Sequence, residues 1–312
     1  MPCLRPECRW RRPLRVAALV GAGLASEAAA KTGTVFMRRL ERHSFCSTDA
    51  DSGWKLDWED HFDSDKLDAS AWEVVTSTGR GNVRLPVAGL NVTACREAEC
   101  RRENVRIHDG QLIILSERDP DGRLTSGAVT TKGRRAWSGD HSPFRLCVRA
   151  RLPGIGGGRG QGIWPAHWML PENNRSDRCL DEGEMDITEM INADGTVYHT
   201  YHWLTSWPQM QCGDFETHHK SVAKGHRVQD FGGEFHEYAV ERTRDRIVYA
   251  VDGRVVFSAS AAADGFTLSK SPFYLILNTA LGGAWPGPIS EETELPAEHA
   301  IDSVRVVRPI TP

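Results

Sequence analysis

The chain has 312 residues, 40% of them hydrophobic and 26% charged, with a formal net charge of −4. That length can bury a substantial core without cross-links, the composition is that of an ordinary soluble globular protein, and the charge gives no bulk attraction for nucleic acid. Ten tryptophans are the one unusual count; indoles left exposed tend to touch something, and sugar faces are a frequent partner.

At the amino terminus, Arg5, Arg9, Arg11, Arg12 and Arg15 precede an apolar run from Val16 to Ala25, and Ala28, Ala29 and Ala30 follow it. A basic stretch, a short apolar stretch and small residues form a secretory signal, so residues 1–30 are expected to direct a secreted protein. The alternative is an organellar transit peptide, since the region is rich in Arg and poor in acids. The apolar run is too short to cross a bilayer, and no later stretch reaches eighteen apolar residues, so no membrane span is expected. Beyond residue 30 come Cys46, Cys95, Cys100, Cys147, Cys179 and Cys212. An even number suits an exported protein, but six cysteines allow fifteen pairings and spacing does not choose among them. Zinc-type Cys/His spacing is missing, which speaks against a structural zinc. Asn91-Val92-Thr93 and Asn174-Arg175-Ser176 are glycan acceptor sequences.

Residues 31–53 lack periodicity and are expected to be a linker or propeptide, with one domain over 54–312. Its text is strand-like. Asn104–Ile107 and Leu112–Leu115 flank Asp109-Gly110, and Arg246–Val251 and Val255–Phe257 flank Asp252-Gly253. Asp-Gly between β-prone runs signals a two-residue hairpin. Phe144–Leu152 alternates apolar and mostly charged residues, the mark of a half-buried strand. Tyr274–Leu277 and Val304–Val307 close the set. With no longer helical period and no repeat, the expected fold is all-β, a sandwich of two antiparallel sheets. The six-glycine stretch Gly154–Gly162 lacks the Lys-Ser/Thr of a phosphate cradle and reads as a flexible loop.

Chemistry concentrates in Asp181-Glu182-Gly183-Glu184-Met185-Asp186-Ile187-Thr188-Glu189-Met190. On a strand, Glu184 and Asp186 share one face and Met185 and Ile187 the other. Glu189 has the wrong parity, which a one-residue β-bulge near Ile187-Thr188 would restore. The outer acids would then lie roughly 13 Å apart at Cα and about 5 Å apart at their carboxyls, the spacing of a retaining glycosidase. Crowded acids raise one another's pKa, which keeps a proton on the donor. A solvated acidic surface or a helix face is the plainer reading of the same run; a calcium loop is not, because its spacing is missing.

The segment Gly162-Ile163-Trp164-Pro165-Ala166-His167-Trp168-Met169-Leu170-Pro171, followed by Glu184-Met185-Asp186-Ile187-Thr188-Glu189, resembles the cleft of glycoside hydrolase family 16, in its laminarinase-like branch. Tyr201-His202-Trp203, Leu277–Gly287 and Ile301–Val306 are also similar, so the resemblance spans about residues 54 to 308. It implies a β-jelly roll of the concanavalin A-like type with an open concave cleft, and a monomer that cuts β-1,3 or mixed β-1,3/1,4 glucan without a cofactor. It further implies Glu184 as nucleophile, Asp186 as helper and Glu189 as acid/base, with Trp164 and Trp168 stacking on sugar, Trp285 bounding the cleft and His202 lying within it. Asp302 matches a position that holds a structural calcium in relatives. The chain departs from the family pattern at Arg96-Glu97-Ala98-Glu99, at Ala128 and at His167. The first departure continues through Cys100-Arg101-Arg102, where aromatic residues are usual. The alternative substrate is a galactan (agar, carrageenan or porphyran), the basic residues Arg96, Arg101 and Arg102 suiting a sulfated one, with transglycosylation a further variant. A non-catalytic glucan-recognition protein is the alternative of another class.

Overall fold

A computed structural model describes residues 44–76, 94–154, 158–172, 183–204 and 219–310. The expected signal segment, both glycan sequences, Cys179 and Cys212 lie outside the described residues. In chain order come β1 (Trp54–Asp60), β2 (Glu73–Val74), β3 (Glu99–Cys100), β4 (Val105–His108), β5 (Gln111–Arg118), β6 (Leu124–Ser126), β7 (Ala128–Thr130) and β8 (Phe144–Arg151). There follow β9 (Ile163–Pro171), β10 (Glu184–Glu189), β11 (Thr196–Leu204), β12 (His219–Arg227), β13 (His236–Arg242), β14 (Arg246–Val251), β15 (Arg254–Ser260), β16 (Phe273–Leu281) and β17 (Ala297–Pro309).

Two sheets face each other in the expected jelly-roll sandwich. One runs β12-β11-β10-β9-β16-β7-β2; the other runs β15-β14-β13-β8-β17-β5-β6-β3, with β1 on β17 and β4 on β5. All pairs are antiparallel except the two-residue β3–β6 pair. Both Asp-Gly hairpins form, and Asp109, Gly110, Asp252 and Gly253 all have positive φ, as the twist-matched two-residue turn requires.

The core lies between the sheets. Leu146 and Val148 of β8, Tyr238 and Val240 of β13, and Val304 and Val306 of β17 meet Met169, Met185, Ile187, Val197, Tyr201, Leu275 and Leu277 of the opposite sheet. Burial at roughly 25 cal/mol per Å² of apolar area is the main term holding the layers together. Four of the eight described tryptophans, Trp58, Trp72, Trp137 and Trp203, serve this packing. Trp72 and Trp137 are buried in the core with Trp58 against them, and Trp54 stacks on the Arg145 guanidinium.

The domain begins earlier than the sequence suggests. Cys46 is disulfide-bonded to Cys147 on β8, Phe45 N–H donates to Glu237 on β13 at 2.6 Å, and the Ser44 hydroxyl donates to the same carboxylate. Residues from Ser44 onward thus belong to the domain and not to the linker placed over 31–53. A segment that packs through one disulfide and one carboxylate has no strand period to announce it.

Candidate active site

The outward face of the seven-stranded sheet carries a cavity of about 400 Å³, lined from β9, β10, β11, β12 and β16. Strand parity builds it. On β9, Trp164, Ala166 and Trp168 line the cavity, while Met169 enters the core and His167 is wholly buried. On β10, Glu184 and Asp186 line the cavity, while Met185 and Ile187 enter the core.

The expected bulge is present. Across to β11, Asp186 faces Thr200 and Glu189 faces Tyr198, three steps on one strand against two on the other. Across to β9, Asp186 faces Trp168 and Thr188 faces His167, two steps against one. The extra residue turns Glu189 onto the cavity face with Glu184 and Asp186. Entry into the strand depends on Gly183, whose φ is +93° and where a Cβ would stand 2.4 Å from the Tyr201 hydroxyl; only glycine accepts both conditions.

Burial dominates the electrostatics. Glu184 is held well above the usual carboxylate range by burial first and then by the charge of Asp186, opposed by His202 and Arg96. Asp186, 2% exposed, is raised by burial. Glu189 is pushed up to about 8, by burial and then by Asp186. Three acids on one dry face cannot all ionise cheaply, so protons are retained among them near neutral pH. One oxygen of Glu184 is buried without a hydrogen-bond partner, a costly state outside a reacting centre.

The surrounding groups hold these acids in place. Trp164 Nε1–H donates to Glu189 Oε1 at 3.1 Å. Trp168 Nε1–H donates to Asn278 Oδ1 at 2.7 Å, and Asn278 Nδ2–H donates to the Ala94 carbonyl at 2.7 Å, fixing the indole on the floor. His202 Nε2 is 3.1 Å from Asp186 Oδ2, and its Nδ1 is 2.8 Å from His219 Nε2. Burial, then the neighbouring His202, lowers His219 to about 4 and keeps it neutral. Trp285, 42% exposed, stands edge-on to Trp164 at 5.3 Å and to Tyr198 at 5.1 Å.

All seven site residues expected from the sequence line this one cavity. Trp164 differs in detail from the sugar platform expected of it, because the Arg96 guanidinium covers its ring at 4.8 Å. Arg96, Asn278, Tyr198 and His219 line the cavity as well; in the sequence Arg96 stands out as part of a substrate-relevant departure from the family pattern, and the other three had no role assigned. Asn278 and Tyr198 sit at cavity-facing parity beside recognised positions; His219 carries no sequence signal. His167 lies in the core and not in the cleft, with its Nε2 2.9 Å from His299 Nε2. Both imidazoles are kept neutral by burial, His299 at about 3.

Glu184, Asp186 and His202 bring one ligand atom each within 4.8 Å of one another, a set with the donors for a cation. Asp302, the position compared with a structural calcium site, has its carboxylate paired with the Arg149 guanidinium at 2.9 Å.

A family model described as "Glycosyl hydrolases family 16" matches residues 101–302. A "Beta-glucanase" of Rhodothermus marinus is 33% identical over 82% of this chain and 85% of its own length. A "Glucan endo-1,3-beta-glucosidase" of Cryptopygus antarcticus is 31% identical over 78% and 86%. Among solved structures, the catalytic domain of an endo-1,3-beta-glucanase (laminarinase) from Thermotoga petrophila superposes with a TM-score of 0.64 at 30% identity, covering 83% of this chain and 99% of that one.

Proposed function

The chain belongs to glycosyl hydrolase family 16, and from that premise we propose that it is an endo-acting hydrolase of β-1,3 or mixed β-1,3/1,4 glucan that retains anomeric configuration. The observation that carries this reading is the bulged strand β10, which turns Glu184, Asp186 and Glu189 into one cavity. Relatives named for β-glucan and β-1,3-glucan cleavage support the substrate.

In this mechanism Glu189 enters the reaction protonated, as burial and Asp186 favour up to about pH 8. It gives its proton to the departing glycosidic oxygen while a Glu184 carboxylate oxygen bonds to the anomeric carbon. Asp186, between them on the same face, takes up the change in charge, and His202 at 3.1 Å answers it. Water deprotonated by Glu189 then releases the sugar and restores both acids. The carboxyls complete the proton bookkeeping, so no cofactor is needed for the chemistry.

The test is reducing-sugar release from laminarin, lichenan, agarose and κ-carrageenan, with proton NMR on the first product. Release from laminarin or lichenan as the β-anomer is expected; first release of the α-anomer would mean inversion and defeat the double-displacement reading. The rate on the free enzyme should fall as pH rises through about 8, where Glu189 loses its proton. A second reading, a sulfated galactan, rests on the Arg96 guanidinium in the cavity wall, and release from κ-carrageenan alone would select it. Binding without release from any polymer would favour a recognition protein instead.

We propose export as well. The basic, apolar and small-residue order of residues 1–30 supports it, as do the disulfides Cys46–Cys147 and Cys95–Cys100, a bond type that persists in oxidising compartments.

A further inference from the structure

A bulge that sets the spacing of two reacting groups must itself be held, because the extra residue leaves a backbone group without its ladder partner. At this bulge, Ile187 and Thr188 of β10 stand opposite a single residue of β11, His199, between the Asp186–Thr200 and Glu189–Tyr198 pairs. The His199 side chain is wholly buried. Its Nδ1 lies 2.7 Å from the Ile187 carbonyl oxygen. A carbonyl only accepts, so Nδ1 carries the hydrogen and donates it. The other ring nitrogen, Nε2, is buried without a partner. Tyr249 braces the ring at 5.5 Å between centroids, and its own hydroxyl donates to the Thr200 carbonyl at 2.6 Å.

We propose that His199 is a positioning residue for Glu189: its Nδ1–H holds the Ile187 carbonyl and thereby fixes the bulge that turns Glu189 toward Glu184. It replaces the missing ladder bond from inside the core, on the side of the sheet that substrate never reaches. Three features argue for this over a merely satisfied core histidine. Its single hydrogen bond goes to the one residue that is extra in the register. The neutral ring leaves Nε2 unpaired at a cost that an apolar residue would avoid. The two residues flanking His199 on β11, Tyr198 and Thr200, both line the cavity.

This inference rests on the assignment of Glu189 as acid/base, and the test separates the two. Rates are compared on laminarin, whose leaving group needs a proton, and on a dinitrophenyl β-glucoside oligomer, whose leaving group does not. Glu189→Gln sets the scale: it should lose about a hundredfold or more in kcat/KM on laminarin and little on the activated substrate. If it loses equally on both, the assignment of Glu189 fails, whatever His199 does. Given the expected Glu189 pattern, His199→Leu should follow it in weaker form, losing roughly tenfold to a hundredfold on laminarin, mostly in kcat, and less than about threefold on the activated substrate. His199→Asn, whose Nδ2–H stands near the position of Nδ1–H, should recover most of the laminarin rate. Full activity in His199→Leu, or equal loss on both substrates, would overturn the proposal. Should His199→Leu not fold, a folded His199→Asn that lacks any selective recovery overturns it as well.

Discussion

The floor and the wall of the cavity are built by different means. The floor is ladder: Glu184, Asp186 and Glu189 of β10 lie between Trp164 and Trp168 of β9 and His202 of β11, and each position follows from parity and register. The wall is a clipped loop. The Cys95–Cys100 disulfide closes it, Arg96 within it adopts φ +55°, and Glu97 N–H donates to the Leu281 carbonyl at 3.0 Å, which ties it to the end of β16. A side chain on the floor cannot change its face without shifting a whole strand. A side chain in the wall can change with little consequence for the fold. The proposed chemistry therefore draws on groups that the sheet fixes, and the wall is the part where substitutions are expected to tune selectivity.

The sharpest way to break this comparison is on the floor. Glu184→Ala should lower kcat on the order of a hundred-thousand-fold, the scale of losing a nucleophile from a concerted set. Its melting temperature should hold or rise, because a buried carboxyl oxygen without a partner is removed. A mutant that still turns over at the native rate would end the assignment. Trp164→Phe acts at the junction of floor and wall. The indole N–H favours the charged form of Glu189, so its loss raises the Glu189 pKa and moves the alkaline limb of the rate profile upward. About tenfold in rate should go with it, one charge-assisted hydrogen bond's worth.

A wall substitution should read differently. The charge of Arg96 lowers both Glu184 and Glu189, so Arg96→Ala raises both pKa values and slides the whole pH–rate bell toward higher pH. The guanidinium also covers Trp164, and baring that ring should change KM by roughly threefold. Movement of one limb alone would show that Arg96 reaches only one of the two acids.

The floor was legible in sequence and the wall was not, for a physical reason. E-x-D-x-x-E on a strand has a parity fault, and a one-residue bulge at Ile187-Thr188 is a local remedy that the spacing itself points to. The cavity tryptophans came from the family resemblance, and on β9 the alternation agrees with it by placing Trp164 and Trp168 on the cavity face. By contrast, Arg96 entered only as a departure from a pattern, because its direction depends on a left-handed residue and a disulfide that spacing does not specify. His199 was invisible for the opposite reason: it sits at core parity on β11 and reads as packing until the register shows what faces it. The start of the domain at Ser44 was hidden too, since contacts far apart in sequence, such as Phe45 to Glu237, leave no local period.

The two disulfides give the smallest effect and the finest separation of floor from wall. Cys46 and Cys147 are 101 residues apart and Cys95 and Cys100 only 5. Loop-closure entropy gives the first about 4.7 kcal/mol of stabilisation and the second about 2 kcal/mol. Removing the long clip as Cys46→Ser with Cys147→Ser should therefore cost more melting temperature, yet leave kcat and KM near native, because it staples a segment to β8 in the sheet opposite the cavity. Removing the short clip as Cys95→Ser with Cys100→Ser should cost less melting temperature but release Arg96, reproducing in weaker form the alkaline slide and KM change of Arg96→Ala. Thermal melts and pH–rate profiles on the two double variants separate these outcomes. If the short-clip variant keeps a native profile, the hydrogen bonds to Leu281 are enough to hold the wall, and the disulfide adds stability alone.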